Sequence, residues 1–320
     1  RARPEPQARP SGFGKGAGVF VPPPPKPFDA GLAGQMGAKG CGKGCGKGCG
    51  KGEPQKFSET LWEAPREQIG LQLLGELVQG QVPWQYAIND AARRSYAGYL
   101  KCPFSPQQCG VFFEAVRDGT TWVQPMGPQG PIPRQTAWMV QNGCECTYSY
   151  GQITVDPQVY PPWMIELMSL VMPLCGLPQP GDWPNSCNLN LYSDGGMSVG
   201  WHSDDEKLFQ GKFNDIRIIS LSLGVARKFE LRANWPEEME MGVRPLILGN
   251  GDLCTMEGMT QKHYTHRVPK EFGRHIGERI NLTWRWVVQH ERDCATCGAS
   301  RATPVEGAVK TDTVARSPVA

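Results

Sequence analysis

The sequence predicts an α+β fold with a mainly β core, either a β-sandwich or a jelly roll. Short stretches in which apolar and polar residues alternate dominate the chain from Asn188 onward, and Gly, Asp and Asn turns separate them. Three segments with helical spacing of apolar residues precede these stretches. With 320 residues, the chain is long enough to bury one sizeable core and to carry appendages.

The three helical segments are marked by their end signals and by their apolar spacing. The first spans residues 67–78 and stops before Gly80. The second begins at Ser105, a residue type that favours the N-cap, and Gln108 completes a capping box. The third spans residues 162–174. The apolar residues expected to face the core are Ile69, Leu73, Leu74 and Leu77 in the first, Val111, Phe112, Ala115 and Val116 in the second, and Trp163, Leu167, Leu170 and Val171 in the third.

The composition divides the chain into four parts. Residues 1–56 form an arm rich in Gly, Pro, Lys and Cys, which we expect to be disordered because it cannot bury enough apolar surface to offset its ordering entropy. This arm has ten Lys and Arg residues against three acids and carries +7, whereas the rest of the chain carries −5. It serves either as a flexible tether or as a tail that attracts phosphate groups. A helical extension at 57–94, a folded domain at 95–290 and an unstructured tail at 291–320 follow.

Residues 279–285 carry the most informative pattern in the chain. As a strand, they place two arginines, an asparagine and a threonine on one face and apolar residues on the other. Two inward-facing guanidinium groups are costly unless an anion pairs with them, and their planar forks suit a small dicarboxylate. The strand therefore predicts the floor of an anion-binding pocket. Its polar residues are Arg279, Asn281, Thr283 and Arg285, and its apolar neighbours are Ile280, Leu282, Trp284 and Trp286.

A metal site is indicated by His202 and Asp204, which lie two residues apart and therefore point to the same side of an extended segment. One further histidine would complete the two-histidine, one-carboxylate ligand set of non-haem Fe(II) oxygenases. The other histidines stand at positions 263, 266, 275 and 290. The His-x-Asp spacing alone leaves the choice among them open.

Several motifs in one order resemble the AlkB family of Fe(II)/2-oxoglutarate dioxygenases. They lie within residues 95–288 and look most similar to the family members that repair alkylated bases in single-stranded nucleic acid. This resemblance implies a double-stranded β-helix, or jelly roll, with helices that buttress one sheet. The motifs are NLY at 190–192, WHSDDE at 201–206, ISLSLG at 219–224, MEG at 256–258, HRVP at 266–269 and RINLTWR at 279–285.

The resemblance also implies which residues hold the metal and the cosubstrates. Fe(II) would bind His202, Asp204 and His266, and the rival His263 should lie on the opposite face of its strand because it is three residues away. The cosubstrate 2-oxoglutarate would chelate the iron, and O2 would take the remaining open position. The residues expected to contact 2-oxoglutarate are Arg279 at the distal carboxylate, Arg285 near the iron, and Asn190, Tyr192 and Asn281 in the pocket wall.

The implied reaction is oxidative demethylation of N-alkylated bases, such as 1-methyladenine and 3-methylcytosine, with succinate, CO2 and formaldehyde as products. Residues 147–150 resemble the substrate lid of the family, in which Tyr150 would stack on the base and Tyr148 would make a polar contact. Asp205 and Glu206 are further candidates for contact with the base edge. Solvated acids are the simpler interpretation of these two residues.

Two departures from the family pattern bear on the substrate. Residues 133–138 resemble the lid hairpin of the family and place Arg134 near the substrate. However, Met139 and Val140 follow at the positions where the family usually has Tyr-Gly. The loop at 125–130 offers no aromatic wedge for opening a duplex, which favours single-stranded DNA or RNA as the substrate.

Two other functions stay open from the sequence: an oxygenase that acts on protein or lipid, and a noncatalytic nucleic-acid-binding module that uses the basic arm. We expect a monomer inside the cell, in the nucleus or the cytoplasm, with an organelle as a third possibility. No apolar run approaches the roughly 20 residues that span a bilayer, so we expect no membrane partner. Twelve cysteines without an evident secretory signal indicate reduced thiols.

The sequence shows part of a second candidate metal site near residue 290. His290, Cys294 and Cys297 supply half of the usual ligand set for zinc. A hairpin that carries Cys144 and Cys146 is the candidate source of the missing ligands. Because no second Cys-x-x-Cys pair exists, plain reduced thiols are the favoured interpretation.

Overall fold

The computed structural model describes residues 71–236, 242–273, 276–292, 294 and 295. The predicted arm at 1–56, the first part of the predicted helical extension and nearly all of the predicted tail lie outside the described residues. His275 and Cys297 also lie outside them.

The described residues form four helices and sixteen strands. The helices are α1 (Leu74–Leu77), α2 (Pro106–Asp118), α3 (Pro162–Val171) and α4 (Thr260–His263), with 3-10 turns at Met172–Cys175 and Pro180–Asp182. None of the described helices combines the length and the apolar composition that crossing a bilayer requires. The strands are β1 (Gln85–Asp90), β2 (Ser95–Leu100), β3 (Met126–Gly127), β4 (Gly130–Pro131), β5 (Gln135–Val140), β6 (Tyr148–Tyr150), β7 (Ile153–Val155), β8 (Pro157–Val159), β9 (Ser186–Tyr192), β10 (Val199–His202), β11 (Ile216–Gly224), β12 (Arg227–Ala233), β13 (Arg244–Leu248), β14 (Leu253–Gly258), β15 (Tyr264–Val268) and β16 (Arg279–Arg285).

Two sheets make up the core of the fold. The larger has eight strands in the order β1-β2-β14-β11-β16-β9-β5-β8, and the smaller has four in the order β10-β15-β12-β13. Apolar residues of β1, β2, β11 and β14 pack against those of β12 and β15, so the two sheets face each other. The strand pairs β3–β4 and β6–β7 form separate hairpins. This arrangement confirms the prediction of a mainly β, jelly-roll fold.

The strand β16 lies in the interior of the larger sheet, and its two faces have different roles. The apolar face belongs to the main core, which also includes residues of α2 and α3. Trp284 on this face is fully buried and donates its Nε1–H to Met164 Sδ at 3.2 Å. The opposite face, which includes Asn281 and Arg285, opens on a cavity between the sheets. The predicted alternation along β16 is therefore present, with helices on one side and a cavity on the other.

The end signals of α2 are used as the sequence predicts, but the buried faces of the helices differ in part. Ser105 Oγ accepts a hydrogen bond from Gln108 N at 3.2 Å, and Gln108 Oε1 accepts one from Ser105 N at 2.9 Å. The predicted burial of Leu77, Val111 and Leu170 is wrong, because these side chains are exposed to solvent on α1, α2 and α3. The residues buried in their place are Cys109 in α2 and Met164 and Met168 in α3.

The predicted helical extension at 57–94 is wrong for its second half. The first helix, α1, is a single turn, and it is followed by β1 rather than by more helix. The strand β1 pairs with β2 at the edge of the larger sheet, with a register shift between Tyr86 and Ile88. Pairing with the free edge of β2 satisfies the backbone groups of this segment, and that partner is not visible from local spacing.

The predicted lid hairpin at residues 133–138 is also wrong. Most of this segment belongs to β5, which pairs with β9 on one side and β8 on the other. Met139 is part of the main core, and Trp138 and Val140 are buried in a second apolar cluster. An interior strand of this kind cannot move as a lid, because its backbone hydrogen bonds are shared with two neighbours.

The capping box of α2 allows a direct test of the link between sequence and fold. Replacing Ser105 with Ala removes the side-chain acceptor of the first turn, and we expect the free energy of unfolding to fall by about 1 kcal/mol. The control Ser105→Asn keeps an acceptor at the N-cap and should stay close to the unsubstituted chain. Urea unfolding followed by circular dichroism measures both. Equal loss in the two variants would contradict the assigned cap.

Candidate metal centre and active site

The cavity between the two sheets has a volume of about 800 Å³. Its wall combines residues of the larger sheet, the smaller sheet and the β6–β7 hairpin. The expected site residues in this wall are Arg134, Tyr148, Tyr150, Asn190, Tyr192, His202, Asp204, Asp205, Glu206, His266, Asn281 and Arg285. One cavity therefore collects all of the expected site residues except Arg279, which is buried and is not among the residues that line it.

Three of these residues form a compact set of metal-ligand types. Antiparallel pairing of β10 with β15 places His202 directly opposite His266, and Asp204 follows two residues after β10 ends. The distance from His202 Nε2 to Asp204 Oδ1 is 3.7 Å, and His266 Nε2 lies 3.9 Å from Asp204 Oδ2. The ligand atoms all lie within 4.8 Å of one another, which suits a single ion with open coordination positions.

Neighbouring groups orient His202 and Asp204. His202 Nδ1 lies 2.8 Å from the carbonyl oxygen of Gly200, so an Nδ1–H donor there leaves Nε2 as the free ligand atom. The backbone N–H of Asp204 donates to Gln261 Oε1 at 2.8 Å. Arg285 Nη2 donates to Asp204 Oδ2 at 2.6 Å, and both side chains are buried.

The electrostatics of the site favour a cation. Burial alone would raise the pKa of Asp204, but the Arg285 guanidinium and the two imidazoles outweigh it and lower the pKa to about 2. Burial, and then the nearby His202, lowers the pKa of His266 to about 3. Burial also lowers the pKa of His202. At neutral pH the set is therefore one carboxylate and two neutral imidazoles, the protonation state that binds a divalent metal.

The rival histidines do not join this set. His263 is the last residue of α4, before the strand that carries His266, so it is not on the opposite face of that strand as predicted. His290 belongs to a separate group of possible metal ligands that contains cysteines. His275 lies outside the described residues.

Arg279 has buried donors of the kind that bind a carboxylate. Its side chain is only 1% exposed, and Nη2 donates to Ser222 Oγ at 2.8 Å. Its Nε and Nη1 are buried and have no hydrogen-bond partner within the part of the chain that the structure describes. Burial lowers the pKa of this guanidinium, the direction expected without a carboxylate partner. A dicarboxylate that reached these two donors would remove the cost of leaving them unpaired.

The other expected contacts of 2-oxoglutarate lie around the same part of the site. The Tyr192 ring centre is 5.4 Å from the Arg279 guanidinium. Asn190 Oδ1 accepts a hydrogen bond from Arg134 Nε at 2.8 Å, which leaves its amide nitrogen available. Asn281 Nδ2 donates within the sheet, to Ser220 Oγ at 2.6 Å and to the Leu221 carbonyl. Asn281 is therefore placed to shape the floor of the cavity.

The β6–β7 hairpin places two tyrosines in the cavity wall, and the two rings differ in how tightly they are packed. Tyr148 is buried, its ring stacks on Trp138 at 4.8 Å, and its hydroxyl donates to Glu206 Oε1 at 2.6 Å. Tyr150 is only partly buried, and the Arg134 guanidinium lies 5.6 Å from its ring centre. The Tyr148 ring is thus already packed, whereas Tyr150 has ring surface to offer to a ligand.

The interpretation of Glu206 as a solvated acid is wrong. Burial, and then the nearby charge of Asp204, raises the pKa of Glu206 to about 7. Its Oε2 atom is buried and has no hydrogen-bond partner among the described residues. Asp205 agrees better with that interpretation, because it is partly exposed and pairs with Lys212 Nζ at 2.6 Å.

Two residues that organise the site were not among the expected ones. Gln261 holds the backbone of Asp204, and Ser222 holds the guanidinium of Arg279. The spacing of Ser222 from Ser220 places both on one strand face, and β11 pairs with β16 so that Ser222 lies opposite Asn281. The sequence pattern could not predict this role of Ser222, because alternation predicts which strand face a residue is on but not which strand lies beside it.

Comparison with known proteins adds independent information on this site. A sequence model described as the 2OG-Fe(II) oxygenase superfamily matches residues 96–285. The matched span includes the three candidate metal ligands, Arg279 and Arg285.

Curated relatives match more than half of the chain. The alpha-ketoglutarate-dependent dioxygenase alkB homolog 3 of Rattus norvegicus is 38% identical over 183 residues, which cover 53% of this chain and 57% of that protein. The Homo sapiens alkB homolog 3 is 38% identical over 182 residues, with 53% and 59% covered. The DNA oxidative demethylase ALKBH2 of Arabidopsis thaliana is 30% identical over 207 residues, with 57% and 63% covered. The chain thus spans less than two thirds of the length of each of these relatives.

The unpaired donors of Arg279 give a testable expectation for 2-oxoglutarate. The variant Arg279→Gln should weaken binding by about 10- to 100-fold, because it loses charged hydrogen bonds to a carboxylate. The affinity of Arg279→Lys for 2-oxoglutarate should fall between those of the unsubstituted chain and of Arg279→Gln, since lysine keeps the positive charge but lacks the planar pair of donors. Calorimetric titration of 2-oxoglutarate into Mn(II)-loaded protein measures this.

The matched control for that titration is Arg244→Gln, at an exposed position on β13. It removes the same charge at a residue that does not line the cavity and should leave the affinity unchanged. Equal affinities for Arg279→Gln and Arg244→Gln would contradict the role assigned to Arg279.

Proposed function

We propose that this chain demethylates bases of nucleic acid, because it belongs to the 2OG-Fe(II) oxygenase superfamily and its family match includes the whole candidate metal centre. The proposed reaction is the Fe(II)- and 2-oxoglutarate-dependent oxidative demethylation of N-alkylated bases in nucleic acid. The proposed substrates are bases of the 1-methyladenine and 3-methylcytosine type, in DNA or RNA. The products are the restored base, formaldehyde, succinate and CO2.

The main support for this proposal is that candidate metal ligands and an aromatic hairpin line the same cavity. A two-histidine, one-carboxylate set and Arg285 line the cavity wall together with an aromatic hairpin, and Arg279, with its two unpaired buried donors, lies on the same strand as Arg285. When bound, ferrous iron with 2-oxoglutarate and O2 supplies the oxidation of an N-methyl carbon, after which the hydroxymethyl group leaves the base as formaldehyde. No nucleophile from the protein is needed for these steps.

The residues of the chain have positioning roles in this reaction. His202, Asp204 and His266 would hold the iron, and Arg279 would bind the distal carboxylate of 2-oxoglutarate. Arg285 holds the carboxylate of Asp204 at 2.6 Å and keeps it ionised. Asp204, His266, Arg279 and Arg285 are buried and therefore shielded from bulk water. The cavity would hold the reacting carbon near the metal, which would lower the entropic part of the barrier.

The depth of the site bears on the form of the substrate. Asp204 and His266 are buried, so a methyl group on a base inside a duplex cannot approach them. The base must therefore be flipped out or already unpaired. In this proposal Tyr150 stacks on the inserted base, and the names of the relatives support nucleic acid as the substrate class, since one of them is called a DNA oxidative demethylase. We propose a preference for single strands because the loop at 125–130 has no aromatic wedge.

A methylated oligonucleotide assay tests the proposed function. The chain with Fe(II), 2-oxoglutarate and O2 should release formaldehyde from 1-methyladenine and 3-methylcytosine in single strands, and mass spectrometry should show loss of the methyl group. His202→Ala should abolish turnover because it removes a metal ligand. The exposed variant Arg244→Gln serves as the control. Succinate formation without base repair would overturn the substrate assignment, and turnover by His202→Ala would overturn the metal assignment.

The role of Tyr150 can be separated from that of the metal. Base–aromatic stacking contributes about 1–3 kcal/mol, so Tyr150→Ala should raise KM for the oligonucleotide by about tenfold or more. Tyr150→Phe keeps the ring and should stay near the original KM. Steady-state kinetics on single-stranded substrate, with the 2-oxoglutarate Kd as a second readout, makes the comparison. A KM for Tyr150→Ala equal to that of Tyr150→Phe would rule out stacking by this residue.

A further inference from the structure

A second group of metal-ligand residues lies at the edge of the same domain. Cys144 and Cys146 follow β5 and precede the β6–β7 hairpin, whereas His290 and Cys294 follow β16. The four ligand atoms, three sulfurs and one imidazole nitrogen, all lie within 4.8 Å of one another. Residues from two distant parts of the sequence therefore converge on one point.

The distances within this group match those of a tetrahedral site. His290 Nδ1 lies 3.6 Å from Cys144 Sγ, 3.4 Å from Cys146 Sγ and 3.5 Å from Cys294 Sγ. Cys294 Sγ lies 4.0 Å from Cys144 Sγ. Zn–S bonds of about 2.3 Å and a Zn–N bond of about 2.0 Å would place the ligand atoms of a regular tetrahedron about 3.5–3.8 Å apart.

A disulfide does not explain the same arrangement. The separation of Cys294 Sγ from Cys144 Sγ is about twice the length of an S–S bond, which is about 2.05 Å. A third sulfur and an imidazole at similar distances have no function in a disulfide. Packing of reduced thiols accounts for the burial of the cysteines, but not for the convergence of all three sulfurs on one ring nitrogen.

Backbone hydrogen bonds point to sulfurs that act as acceptors. The N–H of Glu145 donates to Cys294 Sγ at 3.4 Å, and the N–H of Glu291 donates to Cys146 Sγ at 3.3 Å. Each of these donors sits next to a ligand of the opposite pair in the sequence. Such donors stabilise negative charge on sulfur and surround metal–thiolate sites as outer-shell partners.

We propose that Cys144, Cys146, His290 and Cys294 bind one structural zinc ion. All four protein ligands are present, and the three cysteines are buried, which is the closed form of a zinc site rather than the open form of a catalytic one. The site is distinct from the His202 centre and holds whether or not the proposed demethylation is correct.

The place of this zinc ion in the fold indicates what it does. Cys146 is two residues before β6, the strand that carries Tyr148 and Tyr150. The zinc ion joins the start of this hairpin to the segment that follows β16. Glu291 adds a second link, because its carboxylate accepts hydrogen bonds from Thr147 N at 3.3 Å and Thr147 Oγ1 at 3.0 Å. Bound zinc therefore fixes the hairpin that forms one wall of the cavity.

Cobalt substitution of the full chain tests the site without any activity measurement. Co(II) bound by three thiolates and an imidazole gives a thiolate-to-metal charge-transfer band and strong visible bands of tetrahedral geometry. The His202 centre contains no sulfur and cannot give the charge-transfer band. We expect the band in the unsubstituted chain and its loss in Cys146→Ser and in Cys294→Ser, with bound zinc measured by elemental analysis falling by one ion per chain.

Two matched controls decide which cysteines are responsible. Cys102→Ser, at a half-buried cysteine elsewhere in the domain, should keep both the band and the zinc. A variant with the arm cysteines Cys41, Cys45 and Cys49 changed to Ser should keep them as well. Loss of the band in the arm variant, or its absence from the folded unsubstituted chain, would overturn the proposal.

Removing zinc from the unsubstituted chain with a chelator distinguishes the effect of losing the ion from a folding defect caused by the cysteine substitutions. Removing zinc should raise amide hydrogen exchange in residues 144–155 at least tenfold while α2 and α3 keep their protection. Adding zinc back should restore the original rates. Exchange that is unchanged by chelation, with zinc shown to be removed, would overturn the structural role assigned to the ion.

Discussion

The buried contact between Arg285 and Asp204 links the two sheets at the metal centre. Arg285 ends β16 in the larger sheet, and Asp204 follows β10 of the smaller one, with 2.6 Å between Nη2 and Oδ2. Two buried charges are costly to desolvate, so a pair of this kind is better explained by specificity than by stability. It keeps the carboxylate ionised and aims it at the two imidazoles. The position of the metal therefore depends on how the sheets pack.

The same strand couples the core to the chemistry. The apolar side chains of β16 belong to the core that α2 and α3 also build, and its polar side chains reach the cosubstrate region. A shift of β16 by one residue would exchange these faces and expose Trp284 to the cavity. The packing of Trp284 therefore fixes the register in which Arg279 and Arg285 face inward.

Local patterns in the sequence predicted the parts of the site that lie on single strands. The alternation in β16 and the spacing of His202 and Asp204 are local, and both hold in the structure. The burial of Glu206 and the interior position of β5 depend on partners that are distant in sequence, so spacing could not reveal them. The zinc ligands show the same limit: Cys144 and Cys146 meet His290 only when the sheet closes. The third metal ligand was chosen by resemblance, since spacing left four histidines open.

A crystal structure of the chain with Mn(II) and 2-oxoglutarate, grown without Fe(II), is the most direct test of the account. Mn(II) occupies oxygen- and nitrogen-ligand sites without driving the reaction. The account predicts one ion bound by His202, Asp204 and His266, with the distal carboxylate of 2-oxoglutarate on the Nε and Nη1 atoms of Arg279. An ion bound elsewhere, or a cosubstrate that leaves those two donors unpaired, would contradict it.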